Sequence, residues 1–377
     1  MIDIQSLCQA AKAGHIKSQF QLGSAYQHGR GVERDLTEAL HWYTKVAEQG
    51  GVESQYRVGL AYYYGDGVTK DVKRAIQWFT KAARQGHVDA QYRIGLAYYY
   101  GDGGNQDHTK AAKWWHKAAE SKTIKGHRKS ERRLGQAYSY GIGVKQDYTT
   151  AAQWFKKAAR KSDQIAQYYL GKAYYYGNGV KQDVTEALLW FRKAALQGNI
   201  RSQYELGYAY YYGSGVEQDY EVAAYWHRKA AMKGNIRSQY ELGKSYANGE
   251  GVQQDYAQAA YWWRKAAEQG YVKAQYKLGT AYAQGEGVEH DDAEAFRWRM
   301  LAAEQDDDRA QRSVGLAYMN GNGVEENETA AIHWWTLAAN QGNQEAHKDL
   351  MVIGNYPTDR LGETSEPMDE TTMPPFN

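Results

Sequence analysis

The chain has 377 residues, and 46 Lys and Arg against 44 Asp and Glu leave a formal charge of only +2. Leu, Ile, Val and Phe together make about 15% of it, a depletion that in a highly charged chain would mean disorder. The near-neutral balance and the 34 Tyr and 12 Trp exclude that class, so a core must be built from aromatics and Ala. The 39 Gly follow no Gly-X-Y period, which excludes collagen. No apolar run is long enough to span a membrane, and the first residues lack a basic segment followed by an apolar one. Cys8 is the single cysteine, so neither an internal disulfide nor a zinc-thiolate site is expected, and a cytoplasmic location fits best.

The glycines carry a period. Gly-x-Gly pairs begin at 29, 65, 101, 141, 177, 213, 249, 285 and 321, steps of 36 residues interrupted by a single step of 40. Trp42, Trp78, Trp114, Trp154, Trp190, Trp226, Trp262, Trp298 and Trp334 follow the same register. So do the Tyr of Tyr26, Tyr62, Tyr98, Tyr138 and their successors to Tyr318. A fixed period of this length marks a repeat array.

In chain order, residues 1–14 (with Leu7 to Gly14 helical) read as an N-terminal capping helix, an orphan second helix. Nine repeats follow over 15–342. In each, a first helix such as Ser54 to Tyr64 ends at a Gly-x-Gly turn, where Gly supplies positive φ. Asp71 and its counterparts (Asn327 in the ninth repeat) then N-cap a second helix, Val72 to about Arg84. Glu38, Glu186 and Glu294 stand three residues after their Asp, as capping boxes require. Ala75, Trp78 and Ala82 give the second helix an apolar stripe. The extra four residues fall at about 121–125. Residues 343–354 read as a C-terminal capping helix, and 355–377 as an acidic, disordered tail. Helix pairs that cannot bury their faces alone must stack on their neighbours.

The pattern Ala90, Ile94-Gly95, Tyr98, Gly101-Asp-Gly103, Asp107, Lys110-Ala111, Trp114 and Lys117-Ala118-Ala119 resembles the Sel1-like repeat, a relative of the tetratricopeptide repeat. The resemblance covers about residues 7–351. It implies an all-α, right-handed α-solenoid of antiparallel helix pairs, whose first helices line a concave face that binds proteins or peptides. It also implies a non-catalytic scaffold or adaptor. A bacterial effector or immunity-type protein gripping one target is the alternative reading, and an enzyme with a site on that face a more remote one.

Helical spacing separates two stripes on the first helix at about 100° per residue. Val58, Gly59 and Tyr62 are assigned to packing. Tyr56, Tyr63 and Tyr64 form the other stripe, repeated as Tyr92, Tyr99 and Tyr100; Tyr168, Tyr175 and Tyr176; and Tyr204, Tyr211 and Tyr212. These twelve are the candidate partner-binding residues, since Tyr offers large contact area at low rotamer cost. Lys122, Lys125, Arg128, Lys129, Arg132 and Arg133 form a candidate patch for an anion or acidic peptide. No catalytic residue, metal ligand or cofactor is assigned: His-Glu-x-x-His, a P-loop and Gly-x-Ser-x-Gly are all missing. The partner expected is a protein or peptide, with no small-molecule substrate, nucleic acid or membrane, and the chain is expected to be a monomer. If the acidic tail occupies the patch or the groove as a pseudo-ligand, deleting 355–377 should raise partner affinity in a binding titration. Unchanged affinity would remove that role for the tail.

Overall fold

A computed structural model describes residues 3–121 and 127–354, and among these it contains twenty helices and no strand. The tail 355–377, and Lys122 and Lys125 of the insertion, lie outside the described residues. A short α1 (Ile4–Lys12) comes first. Pairs follow: α2 (Ile16–His28) with α3 (Leu36–Glu48), α4 (Val52–Tyr64) with α5 (Val72–Arg84), α6 (Val88–Tyr100) with α7 (His108–Ala119), and α8 (Arg128–Tyr140) with α9 (Tyr148–Arg160). Next come α10 (Gln164–Tyr176), α11 (Val184–Leu196), α12 (Ile200–Tyr212), α13 (Tyr220–Ala231), α14 (Ile236–Asn248) and α15 (Tyr256–Ala267). The last are α16 (Val272–Gln284), α17 (Asp292–Ala303), α18 (Asp308–Asn320), α19 (Glu328–Asn340) and α20 (Gln344–Val352). The helices form two compact units, one running to Ala209 and including Gly213–Glu217, the other taking Tyr210–Tyr212 and everything from Gln218. Within each unit the architecture is an α-solenoid, in which a first helix packs on the second helix of its own repeat and on that of the preceding one.

The local signals act as their chemistry dictates. Gly65 closes α4 at φ 86°, a left-handed conformation that a Cβ would disfavour. The second glycine of the turn answers a different demand. A Cβ on Gly67 would lie 2.3 Å from the carbonyl oxygen of Leu36, at the start of the previous repeat's second helix. Gly143 meets His108 in the same way, and Gly179 meets Tyr148. The turn is thus a contact between repeats as well as a link between helices.

The Asp N-caps form, but the capping boxes do not close. Asp183 accepts from the amide of Glu186, while its own amide donates to the Tyr174 carbonyl at 2.9 Å. With that donor already used, the Glu186 carboxylate turns along the helix and accepts from Trp190 Nε1 at 2.8 Å. Glu294 does the same for Trp298 at 3.0 Å.

The in-phase Trp is not the ring that meets the first-helix Gly. That place belongs to the following residue: a Cβ on Gly59 would lie 2.6 Å from the Phe79 ring, and one on Gly95 would lie 2.3 Å from Trp115 Nε1. Phe155, Phe191, Trp263 and Trp335 fill the same role against Gly135, Gly171, Gly243 and Gly315. The in-phase Trp instead joins repeats, as Trp190 does in one cluster with Ala151, Phe155 and Leu170. The Lys three residues later lies over it, at 4.0 Å for Lys81 on Trp78 and 4.1 Å for Lys193 on Trp190.

A buried amide ladder runs beside this core. Gln55 donates to the carbonyl of Ala47, at the C-terminal end of the preceding helix, and accepts at 2.8 Å from Gln85 of its own repeat. That carbonyl also accepts from the amide of Gly50 at 3.1 Å, so the Gln is a second donor to the helix end and ties one repeat to the next. The same pair recurs as Gln49 on Gln19, Gln197 on Gln167, Gln269 on Gln239, Gln305 on Gln275 and Gln341 on Gln311. In the fourth repeat Glu131 and Lys161 replace both members, joined at 2.5 Å with Glu131 only 2% exposed.

Two predictions follow from these contacts. Lys161→Gln should lower stability by about 1–3 kcal/mol by leaving a buried carboxylate poorly satisfied. Adding Glu131→Gln should restore it, as read from urea midpoints. His227 occupies the position of Phe79 in its repeat; burial, with the Lys244 charge, pushes it from 6.5 to about 3. The folded chain therefore keeps it neutral while the unfolded chain binds a proton below pH 6.5. Its contribution is present above that pH and drains as pH falls towards 3. His227→Phe should flatten the decline of the urea midpoint between pH 6.5 and 4.

Candidate functional site

The aromatic stripe begins with the spacing of α4. Tyr56, Gly59 and Tyr63 follow one another at i, i+3 and i+7, so the two rings flank the glycine on one side of the helix. Phe79 fills the gap above Gly59, with ring centroids 5.7 Å from Tyr56 and 6.4 Å from Tyr63. Tyr99 stands 5.6 Å from Trp115, and Tyr168 stands 5.9 Å from Phe191. Tyr64 lies one residue further round and escapes this packing.

The structure accordingly divides the twelve tyrosines. Tyr56, Tyr92 and Tyr204 are half-buried, and Tyr168 is 7% exposed. Burial, followed by the nearby Glu205 charge, pushes the Tyr168 hydroxyl up from 10. Tyr63, Tyr99, Tyr175 and Tyr211 are half-buried. Each meets its neighbour edge-on, at 5.1 Å for Tyr63 with Tyr64 and 5.0 Å for Tyr99 with Tyr100. Tyr64, Tyr100, Tyr176 and Tyr212 are the accessible members, at 56%, 57%, 57% and 51%. In the fourth repeat Tyr140 holds this last position and is also exposed. Burial and a hydrogen bond with Tyr169 push its hydroxyl up to about 12.

Charged groups frame the rings. Arg57 is held by Glu53 at 2.8 Å, and His87 reaches the other oxygen of that carboxylate at 3.1 Å while stacking on Tyr56 at 4.4 Å. Asp89 pairs across repeats with His127 at 3.2 Å; that hydrogen bond, against the opposing effect of burial, holds its carboxyl below 3.8. Arg93 donates to the Tyr64 hydroxyl at 2.9 Å, and Arg133 donates to that of Tyr100 at 3.3 Å. Each guanidinium also lies over a ring, Arg93 at 5.5 Å from Tyr63 and Arg133 at 5.6 Å from Tyr99.

Four cations of the candidate patch fall within the described residues, and they have different surroundings. Arg128 and Lys129 are exposed, Arg132 is spent on Asp163 at 3.4 Å, and Arg133 folds onto the tyrosines. Arg93 stands outside any charge run, and its signal in the sequence is periodic: Arg57, Arg93 and Arg133 occupy the same position of consecutive repeats. Among the described residues no helix is long and apolar enough to cross a membrane.

The Sel1 repeat matches the chain nine times in succession, at residues 16–51, 52–87, 88–122, 128–163, 164–199, 200–235, 236–271, 272–307 and 308–343. Among solved structures, the chain resembles c5321, a protective antigen of uropathogenic Escherichia coli strains with this repeat fold. Identity is 33% over 92% of this chain and 83% of that one, with a TM-score of 0.63. A Sel1 repeat protein from Oxalobacter formigenes is 31% identical over 83% of this chain and 90% of its own, with a TM-score of 0.62. No curated protein sequence matches the chain. Nine matched repeats and a fold shared at this identity place the chain in the Sel1 repeat family.

Proposed function

We propose that the chain is a non-catalytic scaffold that captures a protein or peptide segment along the tyrosine face of its first helices. Sel1 repeat proteins generally mediate protein–protein interaction. The observation that carries the reading to this face is the row of exposed rings, Tyr64, Tyr100, Tyr140 and Tyr176, one in each of four successive repeats. The core does not require them, because Tyr56, Tyr63 and their equivalents already flank the second-helix aromatics. Isolated exposed rings are ordinary on a protein surface; a register of them is not accounted for by burial. Tyr64 and Tyr100 are moreover held by arginine donors, which reduces the rotamer entropy lost on binding.

The test compares affinity capture by the wild-type chain with capture by Tyr64→Ala/Tyr100→Ala/Tyr176→Ala. Gln77→Ala/Lys113→Ala, on exposed second-helix positions, serves as control. The triple variant should lose the captured partner while its melting temperature changes by only about 2 °C, as for other surface substitutions. The control should behave as wild type. A partner retained by the triple variant would move the binding face elsewhere.

A further inference from the structure

We propose that the first-helix face at the third and fourth repeats is built for an extended acidic peptide, with carboxylates received by Arg93 and Arg133. This rests on the reading that the tyrosine face is the binding face, and it specifies the partner's chemistry.

The first observation is an asymmetry in ion pairing. Arg57, at the same position one repeat earlier, is neutralised by Glu53. Arg132, beside Arg133, is neutralised by Asp163. Among the described residues no carboxylate bridges to Arg93 or Arg133. Asp89, one turn before Arg93 on α6, is drawn instead to His127 of the next repeat. Asp102 lies at 3.5 Å from the Tyr63 hydroxyl. Lys129, one turn before Arg133 on α8, is exposed and adds to the positive charge. Two half-buried guanidiniums are thus fixed by tyrosine hydroxyls and rings, which orient them without cancelling their charge.

The second observation is a cavity of about 100 Å³ beside Arg133, lined by Tyr99, Trp115, Gln136 and Tyr140 among others. Arg133 Nε and Gln136 Oε1 are buried and have no hydrogen-bond partner. A planar carboxylate fits such a space and accepts from a guanidinium edge with charge-assisted hydrogen bonds. The Gln136 side chain is itself hydrogen-bonded to Tyr169, so the guanidinium is the donor here. The aromatic walls of Tyr99, Trp115 and Tyr140 would take the apolar part of the same side chain.

Arg93 and Arg133 hold the same position of successive repeats, so one acidic segment running along the first-helix face meets both. Tyr64 and Tyr100, to which they donate, would contact the residues between.

The experiment titrates fluorescent, end-blocked ten-residue peptides into the full chain. One carries four Glu within its central six positions, and the other carries Gln at the same four. The Glu peptide should bind at least about tenfold more tightly than the Gln peptide, and 0.5 M salt should remove the advantage. Arg93→Gln/Arg133→Gln should abolish the preference with an unchanged circular-dichroism melt. If that variant fails to fold, Arg93→Gln and Arg133→Gln are made singly, and each should reduce the preference. Equal binding of the Glu and Gln peptides, or an undiminished preference in the Arg-to-Gln variant, overturns the proposal. The Tyr64→Ala/Tyr100→Ala/Tyr176→Ala variant separates the two levels. If it loses affinity for both peptides while wild type shows no charge preference, the face stands and the carboxylate assignment falls. If it binds every peptide as wild type does, both fall.

Discussion

The contact on which the rest depends is the seating of one second-helix ring against one first-helix glycine. At 2.3–2.6 Å from Phe79, Trp115, Phe155 or Phe191, even a single methyl has no room, so the paired helices come as close as backbone and ring allow. Fixing that ring determines where neighbouring side chains go. Tyr56 and Tyr63 are drawn in on either side of Phe79. The in-phase Trp, one residue before the ring, faces away from the glycine and bridges to the preceding repeat, as Trp190 does. Tyr64 falls on neither surface and stays exposed. Packing and exposure are therefore parts of the same geometry: the rings left exposed are those the glycine contact does not consume.

Polar groups are satisfied with comparable economy. The N-cap amide of Asp183 is taken by the Tyr174 carbonyl, which frees Glu186 for the Trp190 indole. Gln55 gives the Ala47 carbonyl a second donor beside the Gly50 amide and is itself held by Gln85. The fourth repeat shows how strict this accounting is. Glu131 replaces the buried amide only together with Lys161 at the donor position, since a carboxylate cannot supply both functions of a Gln.

On the first-helix face the same accounting leaves a surplus of one sign. Because Asp89 is recruited by His127 of the next repeat, Arg93 rests on Tyr64, and Arg133 repeats the arrangement on Tyr100. The arginine orders the ring and the ring orders the arginine, so a surface of mobile side-chain types is held in one arrangement. Such preorganisation lets modest contacts add up when a flexible segment binds.

The period of Gly, Trp and Tyr was legible without coordinates, and so were the helix pairs, because α-helices, glycine turns and Asp caps are decided by residues close in sequence. That is why the helix ends at Tyr64 and Arg84 and the cap at Asp71 follow from local chemistry. The twofold character of the tyrosine stripe was not legible. Helical angles place Tyr56, Tyr63 and Tyr64 together, and only the position of Phe79 on the neighbouring helix separates flanking rings from a displayed one. The fate of the capping-box glutamates, and the pairing of Asp89 with His127 rather than with Arg93, depended on residues 30 or more positions away or on competition for a single donor. The sequence by itself determined the repeat, its two helices and their turns, because those are settled within one period. The tertiary structure alone decided which tyrosines are exposed and which charges are unpaired, because burial and ion pairing are settled between repeats, where a side chain's partner is chosen by packing rather than by distance along the chain.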